Sequence, residues 1–246
     1  MAPRTIILSP HLDDAVLSCW HLLSGKGQVG VVNVFTGLPS ANGVVPYWDL
    51  MTGATDSRAR VLDRLAEDKA ALATVGRKAR NLDLLDEQYR AAGQPVEPFV
   101  EQVAATVAGA DAIYAPAAID PAIVDHVLVR DAALDVGQDR GISVSLYADL
   151  PHALRFGWPA FVVGKEKRVD PAPFWERSLR DAGAAAARAT PEVHRLSRAQ
   201  EQSKLKALFA YRSQLAGLDV MFGGITRADN LSYEVTWSLT RGESGR

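Results

Sequence analysis

The chain is 246 residues long, with 48% hydrophobic residues, 23% charged residues and a formal net charge of −2. This composition is typical of a globular protein with a sizeable core, and it excludes wholesale disorder. The 27 basic and 29 acidic residues leave no excess of positive charge for binding a nucleic-acid backbone. The single cysteine excludes an internal disulfide or a cysteine-rich zinc site.

The amino-terminal segment does not read as a targeting signal. Its apolar run, Ile6–Leu8, is soon interrupted by His11 and Asp13, which is too short for the core of a signal peptide. No stretch approaches the roughly 18–20 apolar residues that cross a bilayer. We therefore expect a cytoplasmic protein with no membrane span; homo-oligomer formation is left open.

Strand-like and helix-like segments alternate along the first 147 residues. Short apolar runs rich in β-branched residues predict five buried strands: Thr5–Leu8, Gln28–Phe35, Asn81–Leu85, Ala112–Ala115 and Ile142–Tyr147. Amphipathic spacing predicts the helices between them: Asp13–Leu23, Ser57–Gly76, Glu97–Ala108 and Ala122–Leu134. This alternation predicts an α/β fold with a mainly parallel sheet and helices on both faces.

The remaining segments are less regular. Residues 37–56 are expected to form a long loop. Loops of this length in compact domains are often functional or mobile. Pro171–Leu218 is rich in Ala, Arg and Glu and is expected to be mostly helical, whereas Leu231–Leu239 reads as a late strand at the sheet edge. No linker divides the chain, so we expect a single domain over residues 1–246.

The first candidate for chemistry is the segment Ser9-Pro10-His11-Leu12-Asp13-Asp14, which joins the first strand to the first helix. His11 and Asp14 are three residues apart and can face one point across this turn, and imidazole and carboxylate are suitable zinc ligands. Asp13 is then free to act on a water molecule. A helix start favoured by two carboxylates explains the same residues without a metal.

The second candidate is Val124-Asp125-His126, in the connection after the fourth strand. In a parallel sheet this connection opens on the same edge as His11. Two histidines and one carboxylate would make a three-ligand zinc site with a position open for water. Such a site predicts metal-assisted hydrolysis, with a nearby carboxylate taking the proton.

Five motifs, in order along the chain, resemble the PIG-L (LmbE-like) deacetylase family. They are SPHLDDAVLSC, WDLMTG, RLAED (Arg64–Asp68), VDHVLVRDAAL and YADLP. The resemblance spans residues 4–152, with weaker similarity at 204–214 and 233–237. It implies a Rossmann-like, three-layer fold and a zinc-dependent hydrolase that removes an N-acyl group, usually acetyl. Its partner would be a small-molecule substrate such as an amino sugar, a glycoside or a natural-product intermediate of secondary metabolism.

The resemblance also implies roles for individual residues. His11, Asp14 and His126 would hold Zn²⁺, and Asp13 would be the general base that activates the water. Fe²⁺ or another divalent ion would suit two histidines and a carboxylate about as well.

One position departs from the family pattern. The family's second motif usually reads H-x-D-H, but here an isoleucine, Ile123, stands at its first position. That histidine is credited in the family with stabilising the oxyanion or protonating the leaving amine, and losing one such donor typically costs about 10²–10³ in rate. His152, after the fifth strand, is our candidate replacement as a catalytic residue. The alternatives are a reaction that needs no such donor, another C–N bond reaction at the same metal, and a weak or non-catalytic protein.

Other residues receive structural interpretations. His21 is expected on a helix face, and His194 is expected to be solvated. Arg64 and Asp68, at i and i+4, predict a solvated ion pair. Trp48, in the long loop, either shapes a substrate pocket or anchors the loop.

Overall fold

The computed structural model describes residues 4–41, 43–91, 93–96 and 99–239. Within them the strands are β1 (Arg4–Ser9), β2 (Gln28–Asn33), β3 (Ala79–Asn81), β4 (Ala112–Pro116), β5 (Ser143–Tyr147), β6 (Pro191–Arg195) and β7 (Tyr233–Leu239). The helices are α1 (Asp14–Ser18), α2 (Trp20–Leu23), α3 (Tyr47–Met51), α4 (Ser57–Ala73), α5 (Phe99–Thr106), α6 (Val124–Arg140), α7 (Ala160–Val163), α8 (Ala172–Asp181), α9 (Ala184–Arg188), α10 (Arg198–Leu208), α11 (Leu215–Phe222) and α12 (Ala228–Leu231). Short 3-10 helices occupy Glu87–Tyr89 and His152–Arg155.

The strands form one seven-stranded sheet in the order β3-β2-β1-β4-β5-β7-β6. The first five strands of the chain pair in parallel. β7 is antiparallel to both of its neighbours, β5 and β6. β1 pairs with β2 from Arg4 opposite Gln28 to Ser9 opposite Asn33, so both strands end at the same edge of the sheet.

Two groups of helices pack around this sheet. One contains α5 and α6, and the other contains α1, α2, α4 and α10. The connections from β1 to β2 and from β4 to β5 run in opposite directions along the sheet, and right-handed crossovers place their helices on opposite faces. The expected three-layer α/β fold is confirmed. Between β1 and β4 the connections change direction: from β1 the chain continues to β2 on one side, and from β4 it continues to β5 on the other. Ligands of such sheets usually bind at this point, outside the carboxyl ends of the strands.

The core explains why the central strands are apolar at successive positions. Ile7 and Leu8 of β1 are both fully buried, as expected for a strand covered by helices on each face. On the β7 side, Trp175 lies between Trp158 and Trp237, with ring centroids 5.3 Å and 5.9 Å apart. These aromatic contacts fix α8 against the sheet.

Three strand predictions need correction. The third strand is Ala79–Asn81, so it overlaps the predicted Asn81–Leu85 at one residue only. β6 is a strand inside the segment that we expected to be mostly helical, and β6 rather than β7 occupies the sheet edge. β6 forms through pairing with β7, from Pro191 opposite Trp237 to Arg195 opposite Tyr233, a long-range contact that local composition does not reveal.

The helix predictions also change in detail. The predicted helix Asp13–Leu23 is divided at Cys19 into α1 and α2. The loop of residues 37–56 contains α3, and the helix predicted over Ala122–Leu134 begins at Val124 and continues to Arg140. Of the helix predicted over Glu97–Ala108, residues 97 and 98 lie outside the described part of the chain. Among the described residues, no helix is both long enough and apolar enough to cross a membrane.

Candidate active site and metal centre

The candidate site lies at the carboxyl ends of β1 and β4, the two neighbouring strands between which the connections change direction. His11, Asp13 and Asp14 follow β1, and His126 lies in the first turn of α6, after β4. His152 follows β5 in the next connection. The topology therefore brings together residues that are more than a hundred positions apart in the chain.

His11, Asp14 and His126 form a compact group of potential metal ligands. One ligand atom from each lies within 4.8 Å of the others. Asp14 Oδ2 is 3.6 Å from His11 Nδ1 and 3.4 Å from His126 Nε2. All three side chains are buried or nearly so. The structure thus brings together the three residues proposed from the sequence.

The tautomers of the two histidines fit a metal ion at this point. His126 Nδ1 lies 2.9 Å from Asp149 Oδ2, and His11 Nε2 lies 3.1 Å from Asp125 Oδ2. Because an ionised carboxylate only accepts hydrogen bonds, these two nitrogens carry protons, and in the neutral rings that a metal requires the lone pairs of the other two nitrogens would face Asp14. His126 Nε2 is buried and has no hydrogen-bond partner in the described part of the chain. A divalent cation would satisfy it.

A second group, His11 with Asp86 and Asp125, is equally compact. It shares His11 with the first, but His11 Nε2 already donates to Asp125, whose other oxygen is paired with Arg90. This pairing makes Asp125 a support for the His11 ring. The first group, in which His11 Nδ1 and His126 Nε2 both face Asp14, is the better candidate for a metal site.

The electrostatics of the first group also favour a cation. Burial alone would lower the pKa of His126, but the carboxylates of Asp14 and Asp149 outweigh it and raise the pKa to about 10. Burial likewise opposes ionisation of Asp14, but His126 and His11 hold its pKa well below the usual range. The protein thus draws a positive charge, carried by a proton or a metal ion, to this point.

Asp13 differs from its neighbour Asp14 in conformation and in charge. Its φ of 149° is unusual for a residue with a side chain, and such strain is found mostly at functional sites. Burial and the Asp14 carboxylate raise the pKa of Asp13 to about 7, although Arg64 and His11 oppose the rise. Asp13 lines the cavity beside the ligand group and can exchange a proton near neutral pH.

His152 lies against the same group. Its ring centroid is 4.8 Å from that of His126, in an edge-to-face arrangement, and its Nδ1 is buried without a partner among the described residues. Burial and the neighbouring His126 lower the pKa of His152 to about 4, so the ring is neutral at pH 7. A neutral imidazole can donate one hydrogen bond. Ile123 lines the same cavity and can donate none.

The cavity over these residues has a volume of about 220 Å³. One part of its wall is polar and mostly acidic, formed by His11, Asp13, Asp14, Arg64, Asp86, Glu87 and Gln88. The remainder is mainly apolar and includes Trp48, Ile123, Leu218, Met221 and Phe222. Trp48 both lines the cavity and anchors its loop, because its indole N–H donates to Gln214 Oε1 at 2.8 Å.

The solvated ion pair that the sequence predicted for Arg64 and Asp68 is wrong. Arg64 and Asp68 are 6% and 4% exposed, and they are not a solvated pair. Arg64 lies 3.7 Å from Asp86 at the cavity, whereas Asp68 accepts hydrogen bonds from Asn33 and Tyr211. α10 packs on α4, and Tyr211, which follows α10, contacts Asp68.

The two remaining histidines lie away from the site. His21, expected on a helix face, is half-buried and pairs with Glu234. His194, expected to be solvated, stacks on His21 with ring centroids 3.9 Å apart. It also lies 2.8 Å from the Thr236 hydroxyl. β6 brings His194 to this contact by pairing with β7.

The sequence reasoning missed the residues that hold the ligands in place. Asp149 lies in the YADLP motif and was not assigned a role, although it contacts His126 and accepts a hydrogen bond from the Ile119 backbone. Arg90 carried no signal in its own segment. For the supporting carboxylates, the only indication in the sequence was that an acidic residue lies inside each recognised motif.

No protein-family model matches the chain. The chain is similar to the 2'-N-acetylparomamine deacetylase of Streptomyces fradiae, with 28% identity over 228 residues, which cover 86% of this chain and 73% of that relative. It is also similar to the crystal structure of the A40926 pseudoaglycone deacetylase Dbv21, with 25% identity and a TM-score of 0.70 over 98% of this chain and 100% of that one. The zinc-inhibited form of teicoplanin deacetylase Orf2 shares the fold, with 23% identity and a TM-score of 0.69 over the same shares of each chain.

These relatives are deacetylases, and together with the fold they are consistent with the resemblance of the ordered motifs to the PIG-L (LmbE-like) family.

Proposed function

We propose that this protein is a metal-dependent amide hydrolase that removes an N-acyl group, typically acetyl, from an amino sugar, a glycoside or a natural-product intermediate. The observation that carries the proposal is the group His11, Asp14 and His126, with Asp13 beside it in one cavity. The relatives that act on N-acetylparomamine and on the A40926 pseudoaglycone support a glycoside as the substrate.

In this proposal His11 Nδ1, Asp14 Oδ2 and His126 Nε2 would hold the metal. When bound, a divalent ion would polarise the acyl carbonyl and lower the pKa of water to near neutrality. Zn²⁺ and Fe²⁺ both suit these ligands. Because zinc inhibits the teicoplanin deacetylase with the same fold, the identity of the ion needs a direct measurement.

Asp13 is proposed as the general base. Its carboxylate lies at the cavity and would accept a proton from the water that attacks the acyl carbon. A pKa near 7 before a metal binds allows Asp13 to take up and return this proton near neutral pH. A cation beside Asp14 would offset part of the rise and keep more of Asp13 ionised.

His152 is proposed to take the place of the donor that Ile123 lacks. Because His152 is neutral at pH 7, we assign it a hydrogen bond to the developing oxyanion rather than proton transfer to the amine. Asp13 would then return its proton to the departing amine, so that one carboxyl group serves as base and afterwards as acid.

The substitution at Ile123 also favours a second candidate function. With an aliphatic side chain at this point of the cavity wall, the protein would bind a metal and either catalyse another C–N bond reaction or act weakly or not at all. The cytoplasmic location, the single domain and any homo-oligomer stay predictions.

Acetate release tests the proposed function. The full chain, loaded with Zn²⁺ or Fe²⁺, is incubated with N-acetylglucosamine glycosides and with a 2'-N-acetylated aminoglycoside, and both acetate and new amine are quantified. We expect the two products in equal amounts from at least one substrate. Full metal occupancy with neither product would contradict the deacetylase and favour the second candidate.

A further inference from the structure

A second cavity lies next to the candidate active site. Its volume is about 670 Å³, against about 220 Å³ for the first, and Phe222 lines both. Pockets that hold a whole ligand usually measure about 300–1,000 Å³. The first cavity therefore suits the small acylated group alone, and the second has room for a large scaffold attached to it.

The second cavity carries a positive excess. Its charged lining consists of Lys165, Glu166, Lys167, Arg227 and Asp229. Arg227 and Asp229 pair at 3.4 Å and neutralise each other. That leaves two ammonium groups and one carboxylate. Neither lysine forms an ion pair with any carboxylate in the described part of the chain.

One contact places a hydrogen-bond donor at the wall of this cavity. The Lys167 side chain folds back toward Gly157. Its Nζ lies 3.4 Å from the position that a Cβ atom on Gly157 would occupy. An ammonium group donates hydrogen bonds and accepts none, so this wall suits a ligand with acceptor oxygens.

From the size, the charge and the donors, we infer that the second cavity is a subsite for the scaffold of the substrate and selects scaffolds that carry a carboxylate or phosphate group. The inference rests on the proposed function, because the scaffold in the second cavity belongs to the same substrate whose acyl group lies in the first. The substrate would pass Phe222, which lines both cavities. One part of the first cavity wall is acidic and the second cavity carries the positive excess, so charge would favour an anionic scaffold in the subsite. This difference would fix the direction in which the substrate binds.

Binding of product analogues tests the inference without turnover. The probes are β-glucosamine glycosides with one linker that ends in a carboxylate, a phosphate or a neutral hydroxyl, titrated calorimetrically into the full chain. We expect the anionic probes to bind about tenfold more tightly than the neutral one, as charge-assisted hydrogen bonds would give. The variant Lys165→Glu/Lys167→Glu should lose this preference. Lys26→Glu, an exposed lysine at the opposite edge of the sheet, should keep it.

The possible outcomes are distinct. A preference for only one of the two anions supports the inference and names the group. Equal affinities in the wild type, no measurable binding of the anionic probes, or a preference that survives in the double variant would each overturn it. A charge preference without acetate release from the acetylated probes would contradict the proposed function alone and leave the subsite supported.

Discussion

Asp13 and Asp14 are adjacent in sequence, yet the structure gives their carboxyl groups opposite properties. Asp14 faces two imidazoles, which hold its pKa well below the usual range despite its burial. Burial and the Asp14 charge together raise the pKa of Asp13 to about 7. Two adjacent carboxyl groups whose pKa values move apart in this way indicate separate chemical roles, one as ligand and one as base.

Asp13→Asn tests the role of Asp13. The amide cannot accept the proton, so we expect the rate of acetate release to fall by about 10²–10⁴ while the metal content stays at the wild-type level. Asp14→Asn is the matched variant and should lose both the metal and the activity. Wild-type turnover by Asp13→Asn would remove it from the mechanism.

His152→Ala tests the proposed replacement for the missing histidine. Loss of one donor to the oxyanion should lower the rate by about 10²–10³, with no change in metal content, because His152 is not among the grouped ligands. His152→Gln keeps an N–H donor and should retain part of the rate. If His152→Ala turns over at the wild-type rate, another group or no group supplies the donor.

Asp149→Asn tests whether this carboxylate positions His126. Its hydrogen bond to His126 Nδ1 directs Nε2 toward Asp14. Removal of such a partner typically weakens metal binding by about 10–100-fold. The affinity is measured by competition with a chelator. The control, Asp120→Asn, changes another buried carboxylate, which pairs with Arg155 instead, and an equal loss of affinity in that variant would argue against a specific role for Asp149.

At the scale of elements, one buried carboxylate explains why the first helix is divided. Glu234 of β7 accepts hydrogen bonds from the backbone N–H groups of Trp20 and His21, at 2.8 Å each. It therefore satisfies the first donors of α2 and favours a helix start there. The same carboxylate pairs with the fully buried ammonium of Lys204. A residue more than two hundred positions away thus ends α1 and ties α2, α10 and β7 together.

Glu234→Gln should change both the stability and its pH dependence. Burial would raise the pKa of Glu234, but Lys204 and His21 outweigh it and lower the pKa from 4.5 to about 2. A lowered pKa in the folded state means that the stabilisation is fully present above pH 4.5 and is lost as the pH falls toward 2. The variant should be less stable at pH 7, by about 3–5 kcal/mol, because Lys204 stays buried without a negatively charged partner.

Urea unfolding of the full chain between pH 2 and 7 measures this effect. The free energy of unfolding should vary less with pH in Glu234→Gln than in the wild type between pH 4.5 and 2. Glu192→Gln changes an exposed carboxylate near His194 and should leave the profile unchanged. Parallel profiles for Glu234→Gln and the wild type would contradict the assignment.

At the scale of the whole molecule, local patterns predicted the features that depend on local physics. The apolar strands, the alternation of strands and helices and the position of His11 at a strand end all follow from residue spacing. The reversal of strand order between β1 and β4 then explains why His11 and His126 meet. The sequence resemblance added the order of the motifs and the class of reaction.

The features that the sequence did not predict depend on contacts between distant segments. β6 is a strand because β7 pairs with it, and His194 is stacked rather than solvated for the same reason. The supports of the candidate ligands, Asp125 with Arg90 and Asp149 with the Ile119 backbone, join separate segments of the chain. No periodicity within one segment records such pairings.

The central claim is that His11, Asp14 and His126 hold a divalent metal, and metal content tests it most directly. Wild type, His11→Ala and His126→Ala are purified without a histidine tag, reconstituted with Zn²⁺ or Fe²⁺ and examined by elemental analysis, with His21→Ala as the control outside the site. We predict about one ion per chain in the wild type and the control, and loss of the ion in the other two variants. An absence of metal in the reconstituted wild type, or full metal content in His11→Ala and His126→Ala, would contradict the account.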